Sequence, residues 1–556
     1  MRWTIWLKAG LILAAGLIVY FPALHGDFLW DDPQYVTANP LLRDAAGLAK
    51  AWFAPGSVME FYPLQETTLW LQWRAFGTDP FGYHLTNVLL HVLGALLLWR
   101  FFAQLGLRHG WLGGLLFVIH PANVESVAWI SELKNTLSLP PFLVAMTALV
   151  RYYDTDKPRD YGLALTAFTL ALLVKISMAP FPFVILLYAW WKNGRVMTRD
   201  ARIAAPFLGV AVLLSALTVI AYLRFGALHP DHPLVPPIGG PLARLALAGL
   251  TTSFYFGHIF WPWPLLPMYA AWPVNRPSWL DVLPWIAWLA LLAWLWSRRA
   301  TYGRHLLLGL GFFLLMIAPF CGLATQSYMY FTWVMDHFLY LAMIGPIGLV
   351  VASVDEFLRR DSVAHQAVVS VAAAVVVLML GLQSRAFAAQ WRDGETLWTY
   401  SVEHAPSVWL PHYNLGNAYR RDGRLGDAIA QYQESIRLHP DFDWSHNNLG
   451  IALAQDSDSL PQAIAEYRAA IQLRPAFAEA HNNLANALAR TGHAEEAIPE
   501  YKAALAAQPG LIAARFNLAL AYLHLGRKAE AADELHTIIR AQPDFTAAHV
   551  MLQATK

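Results

Sequence analysis

The chain has 556 residues, of which 57% are hydrophobic and 14% are charged. Soluble domains contain about 45–50% apolar and about 25% charged residues, so a large part of this chain is expected to face lipid. The formal net charge of +1 argues against a nucleic-acid-binding protein, and the single cysteine, Cys321, excludes an intrachain disulfide.

The first predicted element is a hydrophobic span from about Trp6 to Leu24. It follows Arg2 and Lys8, a pattern that signal peptides and membrane anchors share, and no small-x-small cleavage site comes after it. We therefore expect a retained anchor whose N-terminus is cytoplasmic.

A long outer loop, 25–82, follows this span and contains two adjacent acids, Asp31 and Asp32, in front of a proline. Like charges side by side raise the proton affinity of one member, which suits a catalytic base or a cation site. The alternative is a solvated turn, because Asp-Asp-Pro often begins one. Two amphipathic patterns in the same loop, around 48–53 and 67–76, predict short helices that lie on the membrane interface.

Ten further hydrophobic spans follow, judged against the length of about 20 residues that a bilayer requires. With the first they make eleven, and the ten are predicted at 85–105, 109–121, 136–152, 160–175, 176–191, 203–223, 281–297, 305–320, 338–357 and 364–384. Short basic loops stay on the cytoplasmic side. With eleven spans, all the basic loops fall on the cytoplasmic side only if the segment 225–280 begins and ends on the outer side of the membrane. The apolar piece 245–266, with its two Trp-Pro steps, is then re-entrant or interfacial; the alternative is that it crosses fully.

Several polar residues fall inside the spans or at their ends. His84, Asn87 and His91 recur at spacings of three and four, so they share one helix face, which either packs against a neighbouring helix or lines a cavity. A charge at the bilayer centre costs about 2.5–3.5 kcal/mol, so an ion there is a functional candidate. The alternatives are a loop position just outside, a snorkelling end-cap or an interfacial ion pair. The charged candidates, whose loops should all open to the extracytoplasmic side, are Glu125, Glu132, Lys134, Lys175, Asp336 and His337.

The composition changes after Gly381, and from Pro406 the chain repeats. Prolines recur about every 34 residues, the period of tetratricopeptide helix pairs. This pattern predicts four repeats over 406–543, a partial cap over 544–556 and a linker over 385–405. The repeating prolines are Pro406, Pro440, Pro475, Pro509 and Pro543.

Stacked repeats form a solenoid whose concave groove binds an extended peptide or a partner protein. One asparagine per repeat would form a row along it: Asn414, Asn448, Asn483 and Asn517. Amide side chains can pair with an acceptor peptide's backbone without reading its sequence. The alternative is simple hydrogen bonding between repeats.

A set of motifs resembles the transmembrane and tetratricopeptide-repeat O-mannosyltransferases and their bacterial relatives, in the C-type glycosyltransferase superfamily. The resemblance covers nearly the whole chain. It predicts an all-α fold, with a multi-spanning membrane domain over 1–384 and a tetratricopeptide solenoid after it. The motifs are Trp30-Asp31-Asp32-Pro33, Asn39-Pro40, Tyr62-Pro63-Leu64, His84 with Asn87 and His91, His120-Pro121, Val124 to Glu132, Lys134-Asn135, Lys175, and Asp336-His337 with Leu339-Tyr340.

The resemblance implies a multi-pass enzyme of the bacterial inner membrane that moves a sugar from a polyprenyl-phosphate carrier to an extracytoplasmic protein acceptor. It assigns the catalytic base to Asp31 or Asp32 and an assisting acid to Glu125. The departing lipid phosphate would be stabilised by Lys134, Lys175 and His337. The predicted pocket-lining residues are His84, His91, His120, Glu132, Asp336 and Tyr340.

The chain departs from the family pattern at Leu133 and His337, where bacterial relatives usually carry arginine. A single displacement would invert the anomeric carbon, and a lipid-phosphate donor needs no metal; a divalent cation is expected only for a diphosphate donor. Two other functions remain open. One is a catalytically silent scaffold for an envelope or secretion complex, and the other is a glycosyltransferase acting on lipid or polysaccharide.

Overall fold

The computed structural model describes residues 2–228, 238–274, 277–323, 325–360 and 362–555. They divide into two compact units, Met1–His404 and Ala405–Lys556. Every regular element within the described residues is an α-helix or a 3-10 helix, which confirms the predicted all-α class. The predicted outer segment 225–280 lies partly outside these residues.

The first unit contains the hydrophobic helices and the loops between them. Its short 3-10 helices include Ile130–Glu132, Ile176–Met178 and Asp336–Phe338. Its α-helices are α1 Arg2–Tyr20, α2 Asp32–Tyr35, α3 Ala45–Phe53, α4 Pro63–Phe76, α5 Pro80–Gln104, α6 Gly110–Val118, α7 Val124–Ala128, α8 Leu133–Thr155, α9 Pro158–Leu172, α10 Phe181–Asn193, α11 Thr198–Leu228, α12 Pro241–Phe260, α13 Leu283–Ser297, α14 Gly303–Ile317, α15 Leu339–Ala342, α16 Ile344–Arg360, α17 Val363–Gln390 and α18 Gly394–His404.

Each of the eleven predicted spans coincides with a helix, but not every helix is long enough to cross a membrane. Seven described helices are long and apolar enough to cross a membrane. An eighth span results if the segments Asp336–Ala342 and Ile344–Arg359, which meet at an angle of 55°, are counted as one. By contrast, α6, α9 and α10 have only 9, 15 and 13 residues. The two spans predicted at 160–175 and 176–191 correspond to shorter helices, because the segment with Lys175 and Pro180 lies between α9 and α10.

The piece predicted to be re-entrant or interfacial contains α12, a continuous helix of 20 residues. It ends at Phe260, two residues before Pro262, where a proline cannot continue the hydrogen-bonding pattern. Its sequence does not place it among the seven spanning candidates of the described residues. Both alternatives for 245–266 therefore remain predictions.

The first outer loop is a folded layer, with helices at both predicted amphipathic patterns. Its own apolar cluster contains Val36, Leu42 and Leu69. This cluster also includes Ile130, from the second outer loop (residues 119–132), and Leu133, the first residue of α8. Burying these side chains together fixes the acid-bearing loop against the second loop. Leu133, a position where the chain departs from the pattern of the family that it resembles, is thus a core residue.

The segment predicted as a linker, 385–405, is helical and almost all of it belongs to the first unit. Helix α17 continues to Gln390, and α18 ends at His404. Trp391 and Trp398 are buried at 0% and 2% exposure. The unit boundary therefore falls between residues 404 and 405, because these aromatic side chains pack into the first unit.

The second unit is built from paired helices of similar length, as the 34-residue period predicts. Gly416 lies against Tyr432, where a Cβ would come within 2.7 Å of the ring, and Gly450 lies in the same way against Tyr467. Small residues let the two helices of a pair approach. The helices are α19 Trp409–Arg421, α20 Leu425–Leu438, α21 Asp443–Leu453, α22 Leu460–Leu473, α23 Ala478–Arg490, α24 Ala494–Ala507, α25 Ile512–His524, α26 Lys528–Ala541 and α27 Thr546–Ala554.

One cationic contact recurs in successive repeats. His481 Nδ1 lies 2.6 Å from Glu500 Oε2, and its Nε2 lies 3.0 Å from the carbonyl oxygen of Pro475. Because a carboxylate and a carbonyl both only accept hydrogen bonds, the two contacts together require a doubly protonated ring. The equivalent contacts elsewhere are His446 with Glu466 and Pro440, and Arg515 with Glu534 and Pro509.

Candidate active site

The adjacent acids lie in a tight turn at the start of α2, where Asp31 is the N-cap and Asp32 is the first helical residue. The Asp32 N–H donates to Leu29 O at 2.8 Å, and Trp30 has a φ of 53°. The Asp32 carboxylate is fully buried and accepts three hydrogen bonds, from Leu29 N at 2.8 Å, from Ser131 N at 2.8 Å and from Ser131 Oγ at 2.5 Å. Asp32 therefore ties the first outer loop to the second.

The two acids differ in their pKa and in their hydrogen-bond partners. Burial, together with the charge of Asp31, raises the pKa of Asp32 to about 8. Burial also raises the pKa of Asp31, but nearby Lys134 opposes this and leaves it at about 6. Within the described residues Asp31 Oδ1 is buried and has no hydrogen-bond partner. Asp31 thus keeps an open acceptor atom, whereas Asp32 is held by its neighbours.

Glu132 is the centre of the charged cluster. Its carboxylate lies 3.4 Å from Lys134 Nζ and 3.5 Å from Lys175 Nζ, and it accepts a hydrogen bond from Asn135 Nδ2 at 2.6 Å. Lys134 also lies 3.4 Å from Glu60, which belongs to the first loop. Asn135 Oδ1 accepts from Lys175 Nζ at 2.6 Å, so both lysines are held in fixed positions.

The third group of contacts comes from the segment before α15. His337 donates its backbone N–H to Glu125 at 3.1 Å, and its Nδ1 lies 3.0 Å from the same carboxylate. The other ring nitrogen lies 3.9 Å from Glu132. Asp336 accepts a hydrogen bond from Tyr269 at 2.8 Å. The second loop and the Asp336–His337 segment therefore meet at the same cluster.

These contacts join Glu125 and the predicted phosphate-binding residues into one network around Glu132. Asp32 adjoins this network through Ser131, the residue before Glu132, and Asp31 precedes Asp32 in the chain. The carboxylates in and around it outnumber the two lysines and His337. Among the residues that the structure describes, no group of three or more His, Cys, Asp or Glu side chains is arranged to hold a metal ion. Around this network lie a carboxyl with an unbonded oxygen and two fixed lysines. A carboxylate and fixed cations are the kinds of group that transfer to a hydroxyl from a phosphate leaving group requires.

The remaining predicted pocket residues make interhelical contacts. His91 Nδ1 lies 2.8 Å from the Tyr340 hydroxyl, and His91 Nε2 lies 3.2 Å from Val118 O. His120 Nε2 lies 2.9 Å from the carbonyl oxygen of Ile259. These contacts correspond to the packing alternative, so lining of a substrate pocket by these side chains stays a prediction.

His84 is also buried, and its ring lies against the backbone of Gly26, Asp27 and Ala128. Its neighbours therefore include the beginning of the acid-bearing loop. Lining of a substrate pocket by His84 likewise stays a prediction.

The asparagine row of the solenoid is engaged in contacts between repeats. Asn448 Nδ2 donates to Asn417 Oδ1 at 2.9 Å, and Asn517 Nδ2 donates to Asn486 Oδ1 at 2.9 Å. Asn483 Nδ2 donates to Asn447 at 3.0 Å. These contacts correspond to the inter-repeat alternative, because each amide donor is already used by the preceding repeat.

The remaining member of the row, Asn414, is in the first repeat. Within the described residues its amide nitrogen is buried and has no hydrogen-bond partner. Asn414 therefore lacks the inter-repeat contact that the other three asparagines make. Binding of an acceptor peptide by Asn414 stays a prediction.

Sequence reasoning missed several residues of the network. Ser131 and Asn135 stand inside the quoted motifs, so their position beside the predicted acids and lysines was an available signal. Glu60 and Tyr269 gave no signal, because they are 74 and 67 residues away from Lys134 and Asp336, the residues that they contact.

Comparisons with known proteins point to the same two parts of the chain. Residues 63–222 match the family described as dolichyl-phosphate-mannose-protein mannosyltransferase. Residues 416–457, 456–492 and 492–555 match tetratricopeptide repeat families. Protein O-mannosyl-transferase TMTC1 of Homo sapiens is 24% identical over 501 residues, covering 80% of this chain and 56% of that protein. The chain is a distant relative of these protein O-mannosyl-transferases.

Other relatives agree with this relationship. Protein O-mannosyl-transferase Tmtc3 of Drosophila melanogaster is 22% identical over 526 residues, covering 79% of this chain and 56% of that protein. The chain thus spans about half the length of the curated relatives that it matches. A crystal structure of MamA, 23% identical, covers 27% of this chain and 88% of its own length with a TM-score of 0.26, too low to support any conclusion here. The predicted resemblance to the O-mannosyltransferases is confirmed.

Proposed function

We propose that this chain is a membrane glycosyltransferase that moves a sugar from a polyprenyl-phosphate carrier to a hydroxyl of an extracytoplasmic protein acceptor. The observation that carries the proposal is the pair of hydrogen bonds from Ser131 to Asp32, which place the two acids next to the Lys134–Glu132–Lys175 cluster. The names of the relatives, which are protein O-mannosyl-transferases, support mannose as the sugar and protein as the acceptor.

Asp31 is the better candidate for the base. A general base works best when its pKa is near the working pH and an oxygen is within reach of the acceptor proton. Asp31 meets both requirements, with a pKa of about 6 and an unbonded Oδ1. Asp32 accepts hydrogen bonds from Leu29 and Ser131 instead, so its role is to hold the turn.

The reaction is a single displacement. The acceptor oxygen attacks the anomeric carbon while its proton passes to Asp31. The bond from that carbon to the phosphate oxygen breaks, and its electron pair leaves with the lipid phosphate. Because attack and departure occur on opposite faces, the anomeric configuration inverts. Glu125 assists through His337, which it holds by two contacts.

The lysines and His337 stabilise the leaving phosphate. Lys134 and Lys175 both contact Glu132, so they are already oriented before the donor binds. Preorganised cations cost little reorganisation as negative charge develops. His337 adds a third donor through the ring nitrogen that faces Glu132.

The tetratricopeptide unit recruits the protein acceptor in this proposal. Solenoids of this kind bind extended segments in their concave groove. We place the membrane unit in the bacterial inner membrane, with the repeats on its outer side. The orientation follows from the basic loops of the sequence, which should remain cytoplasmic.

The test uses full-length protein in lipid nanodiscs, radiolabelled polyprenyl-phosphate mannose, and peptides containing serine and threonine. Asp31→Asn should lower transfer by about 10²–10⁴-fold, the range for loss of a general base. Asp27→Asn is the matched control, because Asp27 is an exposed acid of the same loop, and it should stay within about twofold of the wild type. Full transfer by Asp31→Asn would contradict the proposal.

A second candidate is a membrane scaffold without catalysis. The buried Leu133 and the surplus of carboxylates over cations favour it, because both weaken phosphate binding. A scaffold would retain partner binding and cellular function in Asp31→Asn, whereas the enzyme would lose its function. Deleting 405–556 separates a protein acceptor from a lipid or polysaccharide acceptor, since only transfer to the protein acceptor should depend on the repeats.

A further inference from the structure

Four tryptophans form a continuous contact from the catalytic turn to the segment after the last hydrophobic helix. We call Trp30, Trp129, Trp391 and Trp398 the tryptophan cluster. Trp30 stacks on Trp129 with ring centroids 4.6 Å apart and an interplanar angle of 5°. Trp398 meets Trp30 edge-on at 5.2 Å, and Trp391 lies 6.0 Å from Trp129. The cluster thus joins three separate parts of the first unit.

Trp30 has a backbone conformation that large side chains avoid. Its φ of 53° lies in the left-handed region, where a bulky residue is a genuine outlier and glycine is preferred. It is a central residue of the turn that the Asp32 N–H closes onto Leu29 O. A conformation of this kind persists only where surrounding contacts enforce it. Because Asp31 follows directly, the conformation of Trp30 sets the direction of the proposed base.

The contacts that enforce this conformation come partly from α18. Trp398 is 2% exposed and lies on this helix. The chain just before α18 is also fixed to the first loop, because Asp27 N donates to Arg392 O at 2.9 Å. Thus the segment that leads to the repeats forms one wall of the catalytic turn.

We propose that Trp398 is a positioning residue, which holds Trp30 in its left-handed conformation and thereby directs the Asp31 carboxyl into the site. The proposal rests on the function proposed above, in which Asp31 is the base. Trp398 acts through Trp30 and takes no proton itself. Its loss should therefore affect the chemical step and leave binding of the donor almost unchanged.

The kinetic test compares variants of the full-length protein in nanodiscs, with the donor and peptides used above. Trp398→Ala should lower kcat at least tenfold with KM within twofold, and Trp398→Phe, which keeps an edge-on ring, should recover most of the rate. Trp30→Gly should also lower kcat at least tenfold, although glycine accepts the backbone conformation without strain. Leu397→Ala is the matched control, since Leu397 is a buried neighbour on the same helix, and its kcat should stay within threefold.

A second readout does not depend on activity. In an Asp31→Cys variant, the reaction of position 31 with a charged thiol reagent reports how well the turn is held, because the only natural cysteine, Cys321, is buried. Adding Trp398→Ala should change the labelling rate at least tenfold, and adding Leu397→Ala should not.

The outcomes separate the two proposals. An unchanged labelling rate and unchanged kcat in Trp398→Ala overturn the positioning role, even when Asp31→Asn is inactive and the proposed function holds. If instead the wild type transfers no sugar while labelling responds to Trp398→Ala, the catalytic function fails and the positioning of the turn stands. A role in stability alone would lower the thermal midpoint of Leu397→Ala and Trp398→Ala equally and leave the labelling rate unchanged.

Discussion

Replacing Glu132 by glutamine should destabilise the first unit more than any single change to an exposed ion pair. Glu132 lies 3.4 Å from Lys134 and 3.5 Å from Lys175, and its side chain is 3% exposed. At an effective dielectric constant of about 20, a pair at this distance interacts by about 5 kcal/mol. Removing one partner of a buried pair costs about 3–5 kcal/mol, because the other charge stays buried without compensation. We therefore expect Glu132→Gln to lower the free energy of unfolding by about 3–5 kcal/mol.

The assay follows the unfolding of this unit alone. Cys321 is the only cysteine of the chain and is buried in the first unit, so its modification by a maleimide in increasing SDS reports opening of that unit. The control is Lys192→Met, which breaks the more exposed pair with Asp154 and should cost about 0–1 kcal/mol. Adding Lys175→Met to Glu132→Gln should restore about 0.5–3 kcal/mol, because the two residues are coupled.

Two results would refute this reasoning. A loss below about 1 kcal/mol in Glu132→Gln would mean that water or other side chains compensate the lysines. Strict additivity in the double variant would mean that Glu132 and Lys175 do not interact.

Three further predictions concern the turn, the donor and the solenoid. Ser131→Ala removes the hydroxyl that donates to Asp32 and leaves a buried acceptor with one bond fewer, which should cost about 1–3 kcal/mol of stability, measured by the same Cys321 labelling. His337→Arg replaces the imidazole with a guanidinium that is always charged, so KM for the sugar donor should fall about tenfold, measured in the transfer assay. The bond to Glu500 raises the pKa of His481. Burial lowers the pKa of His446, but the bonds to Glu466 and the Pro440 carbonyl and the nearby carboxylates together raise it. Their stabilisation is complete below the unfolded pKa of about 6.5 and is lost as pH rises through the raised folded pKa, so the solenoid's thermal midpoint should fall above about pH 6.5. His446→Gln with His481→Gln should remove this dependence, and an unchanged profile would contradict it.

The parts of the fold that depend on residues close together in the sequence could be predicted from the sequence. The 34-residue period places Gly416 beneath Tyr432, so spacing alone identifies the helix pairs. Eleven apolar runs coincide with helices, but the position at which a helix breaks cannot be predicted from hydropathy. The segment with Lys175 and Pro180 separates α9 from α10, and each of these helices is too short to span a membrane.

The candidate site was also predictable only where its residues lie close together in the sequence. The acids and lysines lie in short motifs, whereas their partners are set by tertiary contact. Ser131 contacts Asp32 across 99 residues, and Glu60 contacts Lys134 across 74. The 385–405 segment was predicted as a linker between the last hydrophobic span and the first repeat, yet Trp391 and Trp398 are buried and almost all of the segment belongs to the first unit.

The contact of α18 with the turn that carries Asp31 and Asp32 determines where the chain should be truncated in a deletion experiment. A shortened protein that stops at residue 384 would lack Trp391 and Trp398, and its inactivity would be mistaken for dependence on the repeats. A stop codon after His404 instead removes the solenoid and leaves the wall of the turn intact. Only such a protein can tell whether the repeats bring in the acceptor or serve another purpose.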